Sequence, residues 1–294
     1  MELNNNIRGA GWMTLGSAGY VINDAFIKIA AEDLPLFEAI FIRGMFIAVL
    51  LFVIAVRRGQ LANVREHLDR HVALRVTMEA IGTAFYLSAL TRLPIAGLVA
   101  VIQIVPLIVT FIAARLLHEA VSWHRVLSVV IGFVGVLLVV RPGSSDFNPW
   151  FLAGLAVVIT IVVREMATKR ISTELPTMVI SICTALAIAS MGLLGSIVEG
   201  WDRPSAEQTI QLGAAAAFLS VGYIASVITI RVGDLSFSAP FRYTVLIFAL
   251  VIQIVVFQDV PDALTFVGTG IIAAAGLYAF SKEQRIRTVK ARPS

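Results

Sequence analysis

An all-α integral membrane fold, with ten transmembrane helices arranged as two inverted five-helix repeats, is what this sequence predicts. Three observations lead there. Hydrophobic residues make up 58% of the chain and charged residues 14%, with mean hydropathy +0.88, whereas soluble domains run at about 45–50% and about 25%. Apolar runs long enough to cross a bilayer recur along the whole length. Lys and Arg are distributed unevenly among the connections between those runs.

Charge clusters, Pro and Gly punctuate the chain into helices over 10–30, 36–56, 73–91, 95–116, 124–141, 150–168, 177–198, 209–230, 238–257 and 262–281. The first closes at Asp33-Leu34-Pro35, and the second runs to Arg57-Arg58-Gly59. The third ends at Thr91-Arg92-Leu93-Pro94, and the fourth carries Pro106 within it. The fifth stops at Arg141-Pro142-Gly143, and the sixth reaches Lys169-Arg170. The seventh opens after Pro176, and the eighth ends at Arg231. The ninth begins with Pro240, and the tenth runs into a basic tail over 282–294. Most connections are short, so consecutive helices are antiparallel neighbours.

With the N-terminus inside, the cytoplasmic segments carry 17 Lys and Arg and the opposite side carries four: Lys28, Arg92, Arg141 and Arg203. Both termini are therefore expected in the cytoplasm of a bacterial-type inner membrane. No cleavable signal peptide is expected, because the first apolar stretch contains Asp24 and no small-residue cleavage site follows it. The segment over 57–71 is read as lying along the interface, and the tail as a contact for anionic lipid; plain topogenic charge is the alternative for both.

The halves 1–141 and 150–281 resemble each other at an offset of about 141 residues. Leu34-Pro35 recurs as Leu175-Pro176, Asp24 falls on Glu165, Lys28 on Lys169 and Gly135 on Gly276. An odd number of helices per copy inverts the second copy. That arrangement places a substrate site near the membrane midplane in secondary transporters.

The helix count, the repeat, the glycines of V-V-I-G-F-V-G-V-L-L-V-V-R-P-G and the stretch P-L-I-V-T-F-I-A-A-R-L-L-H-E resemble the EamA-type branch of the drug/metabolite transporter superfamily. N-D-A-F-I-K (23–28), F-E-A-I-F-I-R (37–43) and A-P-F-R-Y (239–243) are similar to carriers that take up S-adenosylmethionine. The resemblance implies a secondary transporter of a small polar metabolite. It leaves open export of amino acids or uptake of a vitamin such as riboflavin.

Arg43 and Arg242 are the two basic residues that sit inside apolar runs. An unpaired charge at mid-bilayer costs several kcal/mol, so partners are expected. The hairpin of the first two helices places Asp24 level with Arg43 and Lys28 level with Glu38. These pairs are either a structural staple or a coupling and substrate-contact network. Arg242 has no charged counterpart in the first half, where Ala100 or Val101 aligns. Pro240 is expected to distort the turn before it. Arg242 and Tyr243 are therefore candidates for holding a carboxylate and a planar or cationic group, with Glu79 as an alternative partner for Arg242. Gln103, Tyr86 and Trp12 are further candidate substrate contacts, and Pro106 a candidate gating bend.

Enzymatic function is not expected. There is no phosphate-binding G-x-x-x-x-G-K-[ST] motif and no G-x-S-x-G elbow. The four histidines (His67, His71, His118 and His124) fall in connections without metal-site spacing. Cys183 is the sole cysteine, so no disulfide framework exists. No cofactor and no nucleic-acid partner is expected, and glycine-bearing helix faces permit a homodimer. A passive channel and a membrane scaffold are the readings from other classes.

Overall fold

The computed structural model describes residues 2–59, 69–116, 123–145, 147–168, 170–172, 175–232 and 238–290. The elements are α1 (Glu2–Ala30), α2 (Leu36–Arg57), α3 (Arg70–Leu90), α4 (Ile95–Ile102), α5 (Val105–Leu116), α6 (Trp123–Val140), α7 (Trp150–Thr168), α8 (Thr177–Glu199) and α9 (Ala206–Val232). A 3-10 turn (Ala239–Tyr243) then leads into α10 (Thr244–Val255), and α11 (Ala263–Lys290) follows. Among the described residues the structure is helical throughout, as expected of an all-α membrane fold.

Two departures from the expected boundaries have clear causes. The expected fourth helix is two, α4 and α5, separated at Gln103-Ile104. Pro106 has no N–H to give the carbonyl of Ile102, and its ring crowds that carbonyl. The chain tightens there instead, with Gln103 N donating to both Val99 O and Ala100 O, and Ile104 N to Val101 O at 3.3 Å. The expected distortion at Pro240 takes the form of the 3-10 turn ahead of α10. Helix α1 also begins earlier than expected, running through Asn4–Asn6 and Arg8. His71 and His124 likewise lie in the first turns of α3 and α6 rather than in connections. His67, His118, most of the 57–71 segment and the side chains beyond Lys282 fall outside the description.

Leu36–Arg57, Trp150–Thr168, Met178–Glu199, Ala206–Ala225 and Ala263–Lys282 are long and apolar enough to cross a membrane. Shorter apolar helices cover Ile95–Val109, Val126–Val140 and Pro240–Val255. Helix α2 shows the membrane pattern directly. Ile47, Ala48, Leu51 and Ala55 are buried against Ile182, Ala185 and Ala216, while Val49, Phe52, Val53 and Val56 point outward and are equally apolar. A helix greasy on both faces is stable in lipid and a liability in water.

The chain forms two compact units. The first comprises Ile22–Arg92 and Leu152–Ser220; the second comprises Met1–Val21, Leu93–Phe151 and Val221–Ser294. In the first, α2 lies along α8, and α3 also packs on α8. A Cβ on Gly192 of α8 would stand 2.6 Å from Phe41 N and 2.8 Å from Phe37 O, so only glycine permits this approach. In the second unit, α6 lies along α11. A Cβ on Gly135 would stand 2.8 Å from Gly268 O, and one on Gly268 would stand 2.7 Å from Gly135 O. Such backbone-to-backbone contact supplies dispersion energy where lipid removes the hydrophobic drive between helices.

Candidate functional site

The first unit carries the buried charge. Helices α1 and α2 are joined by a turn over Ala31–Pro35, and α3 reaches α1 through Tyr86. Asp24, Arg43 and Asn23 are 7%, 5% and 3% exposed, so all three are withdrawn from solvent. Asn23 links the other two: its Nδ2 donates to Asp24 Oδ1 at 3.0 Å, and its Oδ1 accepts from the Arg43 guanidinium at 3.3 Å. From α3, the hydroxyl of Tyr86 donates to Asp24 Oδ2. The carboxylate is thus approached from two sides by donors, and the arginine is tied to it through an amide. Three helices meet on one acid.

A second cluster joins α3, α7 and α8. One guanidinium nitrogen of Arg164 reaches both oxygens of Glu79, at 2.8 and 2.9 Å, and the other reaches Glu165 Oε1 at 2.6 Å. Arg75 stands 3.9 Å from Glu79 and donates to Thr184 Oγ1 at 2.9 Å. Two arginines and two glutamates balance, as partly buried charges must.

At the start of α2 the side chain of Glu38 is fully buried, and its Oε2 accepts from Asp202 N at 2.9 Å. Its neighbour Phe37 N donates to Glu199 Oε2 at 2.7 Å. The partner shown for Glu38 is therefore the α8–α9 connection rather than Lys28, which lies half-buried in α1. Glu79 likewise pairs with Arg164 and Arg75 rather than serving Arg242.

The remaining sequence candidates belong to the second unit. Arg242 is exposed in the 3-10 turn, and Tyr243 beside it packs its phenol ring against Gly276, where any Cβ would overlap the ring. Gln103 is buried at the α4–α5 break, and its Nε2 has no hydrogen-bond partner among the described residues. Trp12 is half-buried in α1, and Pro106 opens α5. Tyr20 and Tyr223 meet edge to face at 5.9 Å, so these two aromatics pack on each other.

Sequence reasoning missed Asn23 and Arg164 as members of the clusters. Asn23 adjoins Asp24 and opens the N-D-A-F-I-K stretch, but neither fact pointed to a link with Arg43. Arg164 lies at a helix end among the charges that set topology, beside Glu165, the repeat match of Asp24.

A multi-pass helical fold with acids and arginines sequestered among its helices is the form of a membrane carrier. Residues 7–141 match the model of the EamA-like transporter family. An S-adenosylmethionine uptake transporter of Rickettsia prowazekii is 25% identical over 98% of this chain and 97% of its own. A riboflavin transporter of Brucella anthropi is 26% identical over 80% and 84%. A pseudopaline exporter of Pseudomonas aeruginosa is 24% identical over 92% and 95%. A solved crystal structure 18% identical in sequence shares the fold with a TM-score of 0.67, covering 95% of this chain and 98% of the other. The chain is a multi-pass helical membrane protein, and these relatives are transporters of small metabolites.

Proposed function

We propose that the protein is a secondary active transporter of a bacterial cytoplasmic membrane, with both termini on the cytoplasmic side. It moves a small zwitterionic or cationic metabolite, S-adenosylmethionine-like or amino-acid-like, by alternating access. The observation that carries this reading is Asp24, a carboxylate buried among three helices and held by Tyr86 and Asn23 with Arg43 behind. A buried acid inside a membrane bundle is costly and belongs by default to an ion or substrate path. Asp24 then meets either the cationic part of the substrate or a coupling proton, and Tyr86 sets its orientation.

Two inverted repeats, 1–141 and 150–281, support alternating access. Each compact unit draws on both halves, and the close pairs α2–α8 and α6–α11 join helices at equivalent positions in the two copies. Glu165, the repeat match of Asp24, lies in the Arg164 cluster. Thr184, at the repeat position of Arg43, receives the guanidinium of Arg75 instead. Arg242 and Tyr243, at the broken start of α10, are proposed to meet a carboxylate, and the bends at Pro106 and Pro240 to serve gating. Similarity to a riboflavin transporter and to an exporter supports a second reading, in which the cargo is a vitamin or the net flux is outward.

Counterflow in proteoliposomes tests the first reading. Vesicles preloaded with S-adenosylmethionine or amino acids are expected to accumulate the labelled compound transiently. Asp24→Asn should abolish that accumulation, and Tyr86→Phe should reduce it about tenfold to a hundredfold. Counterflow by Asp24→Asn at the unmodified rate would end the role given to this carboxylate.

A further inference from the structure

The second unit holds a cavity of about 450 Å³ that the transport reading does not use. It opens between the start of α4, the end of α6, the residues leading into α7, the end of α10 and the start of α11. That size suits a small organic molecule. Much of its wall is apolar, from Leu93, Val139, Phe151 and Pro261.

Its charged lining is unequal. Arg141 and Asp262 pair with each other, and Asp262 also caps α11 by accepting from Thr265 N at 2.9 Å. Gln253, only 2% exposed, accepts from Ala96 N at 2.8 Å and donates to Asp259 Oδ2 at 3.0 Å. That amide thereby occupies one of the free N–H groups at the start of α4, and it holds the Asp259 carboxylate at the cavity. Asp259 is exposed and has no cation beside it among the described residues. Among the described lining residues one guanidinium stands against two carboxylates, a net negative charge. A hard metal ion would need more oxygen ligands than one spare carboxylate supplies, whereas an apolar wall with the Phe151 ring suits an organic body.

We propose that this cavity binds a small organic ammonium ion, its charge on Asp259 and its apolar body against Phe151, Leu93 and Val139. The site lies wholly within one unit and does not depend on what the carrier moves.

The test is isothermal titration calorimetry on the detergent-purified full-length protein, with 2-phenylethylammonium as probe and 3-phenylpropanoate as its anionic counterpart. Saturable binding of the cation alone is expected. Asp259→Asn, which keeps an oxygen for Gln253, should weaken it at least tenfold. Gly97→Val, which fills the cavity without altering its charge, should weaken it as well and serves if the first variant does not fold. Asp24→Asn should leave it intact, which separates this site from the transport reading. Absence of saturable heat, equal binding of cation and anion, unchanged affinity in both cavity variants, or loss in Asp24→Asn would each overturn the proposal.

Discussion

In the unit formed largely by α2, α3, α7 and α8, the acids Asp24, Glu38 and Glu79 and the arginines Arg43, Arg75 and Arg164 lie between packed helices and bridge them. In the unit formed largely by α4, α5, α6, α10 and α11, the Arg141–Asp262 pair sits at helix ends, and the closest helix contact is glycine on glycine. Both units contain a close glycine contact, at Gly192 in the first and at Gly135 and Gly268 in the second, but only the first adds directional charge between its helices among the described residues. The difference matters because alternating access, the mechanism proposed for this chain, requires parts that can re-pair. Salt bridges and hydrogen bonds have discrete alternative partners, whereas a glycine seam has one good fit. Re-pairing of charged groups is therefore expected in the first unit, and motion at the breaks near Pro106 and Pro240 rather than across the glycine seam in the second.

The largest expected effect comes from removing the guanidinium that two carboxylates share. Arg164→Met should lower stability by about 3 kcal/mol, since Glu79 and Glu165 lose a directly bonded cation and, among the described residues, Arg75 alone remains near Glu79. Thermal unfolding in detergent measures it. A melting temperature equal to that of the unmodified protein would dissolve the contrast between the units. Gly268→Val comes next, at about 1–3 kcal/mol, because a Cβ there meets the backbone of α6 and neither helix can yield. The same variant should leave substrate affinity unchanged if the seam only packs; a selective loss of affinity would move the seam into the transport path.

The smallest effect belongs to Asp262→Asn. Burial disfavours the charge on Asp262, but the N–H of Thr265 and the guanidinium of Arg141 outweigh it and hold the carboxyl below its ordinary value. A depressed carboxyl stabilises the fold above its unfolded value and loses that contribution as pH falls through the folded one. The unmodified protein should therefore exceed Asp262→Asn by less than about 1 kcal/mol at neutral pH, since the side chain is 56% exposed and screened. The two should converge in acid, around and below the usual carboxylate range. A difference that persists there would assign the effect to capping rather than to charge.

Much of the fold was legible because bilayer physics acts on composition and spacing. Runs of the right length, closed by Pro35, Pro94, Pro176 and Arg57-Arg58, marked most helices to within a few residues. Pro106 and Pro240 announced the two broken helices, because a missing N–H acts through the local chain alone. Asp24 and Arg43, about equally far from the turn that joins their helices, fall at one depth because rise per residue is fixed.

The partners were another matter. Asn23 between Asp24 and Arg43, Tyr86 on Asp24 from α3, Arg164 on Glu79 from α7, and Asp202 rather than Lys28 on Glu38 all depend on how helices are rotated and which neighbour they meet. Sequence by itself determined that this chain is a bundle of membrane helices with charges that need partners, because the cost of an unpaired charge in lipid is independent of fold. Only the tertiary structure decided which partners they find, because hydrogen bonds act over about 3 Å and helix rotation moves a side chain farther than that.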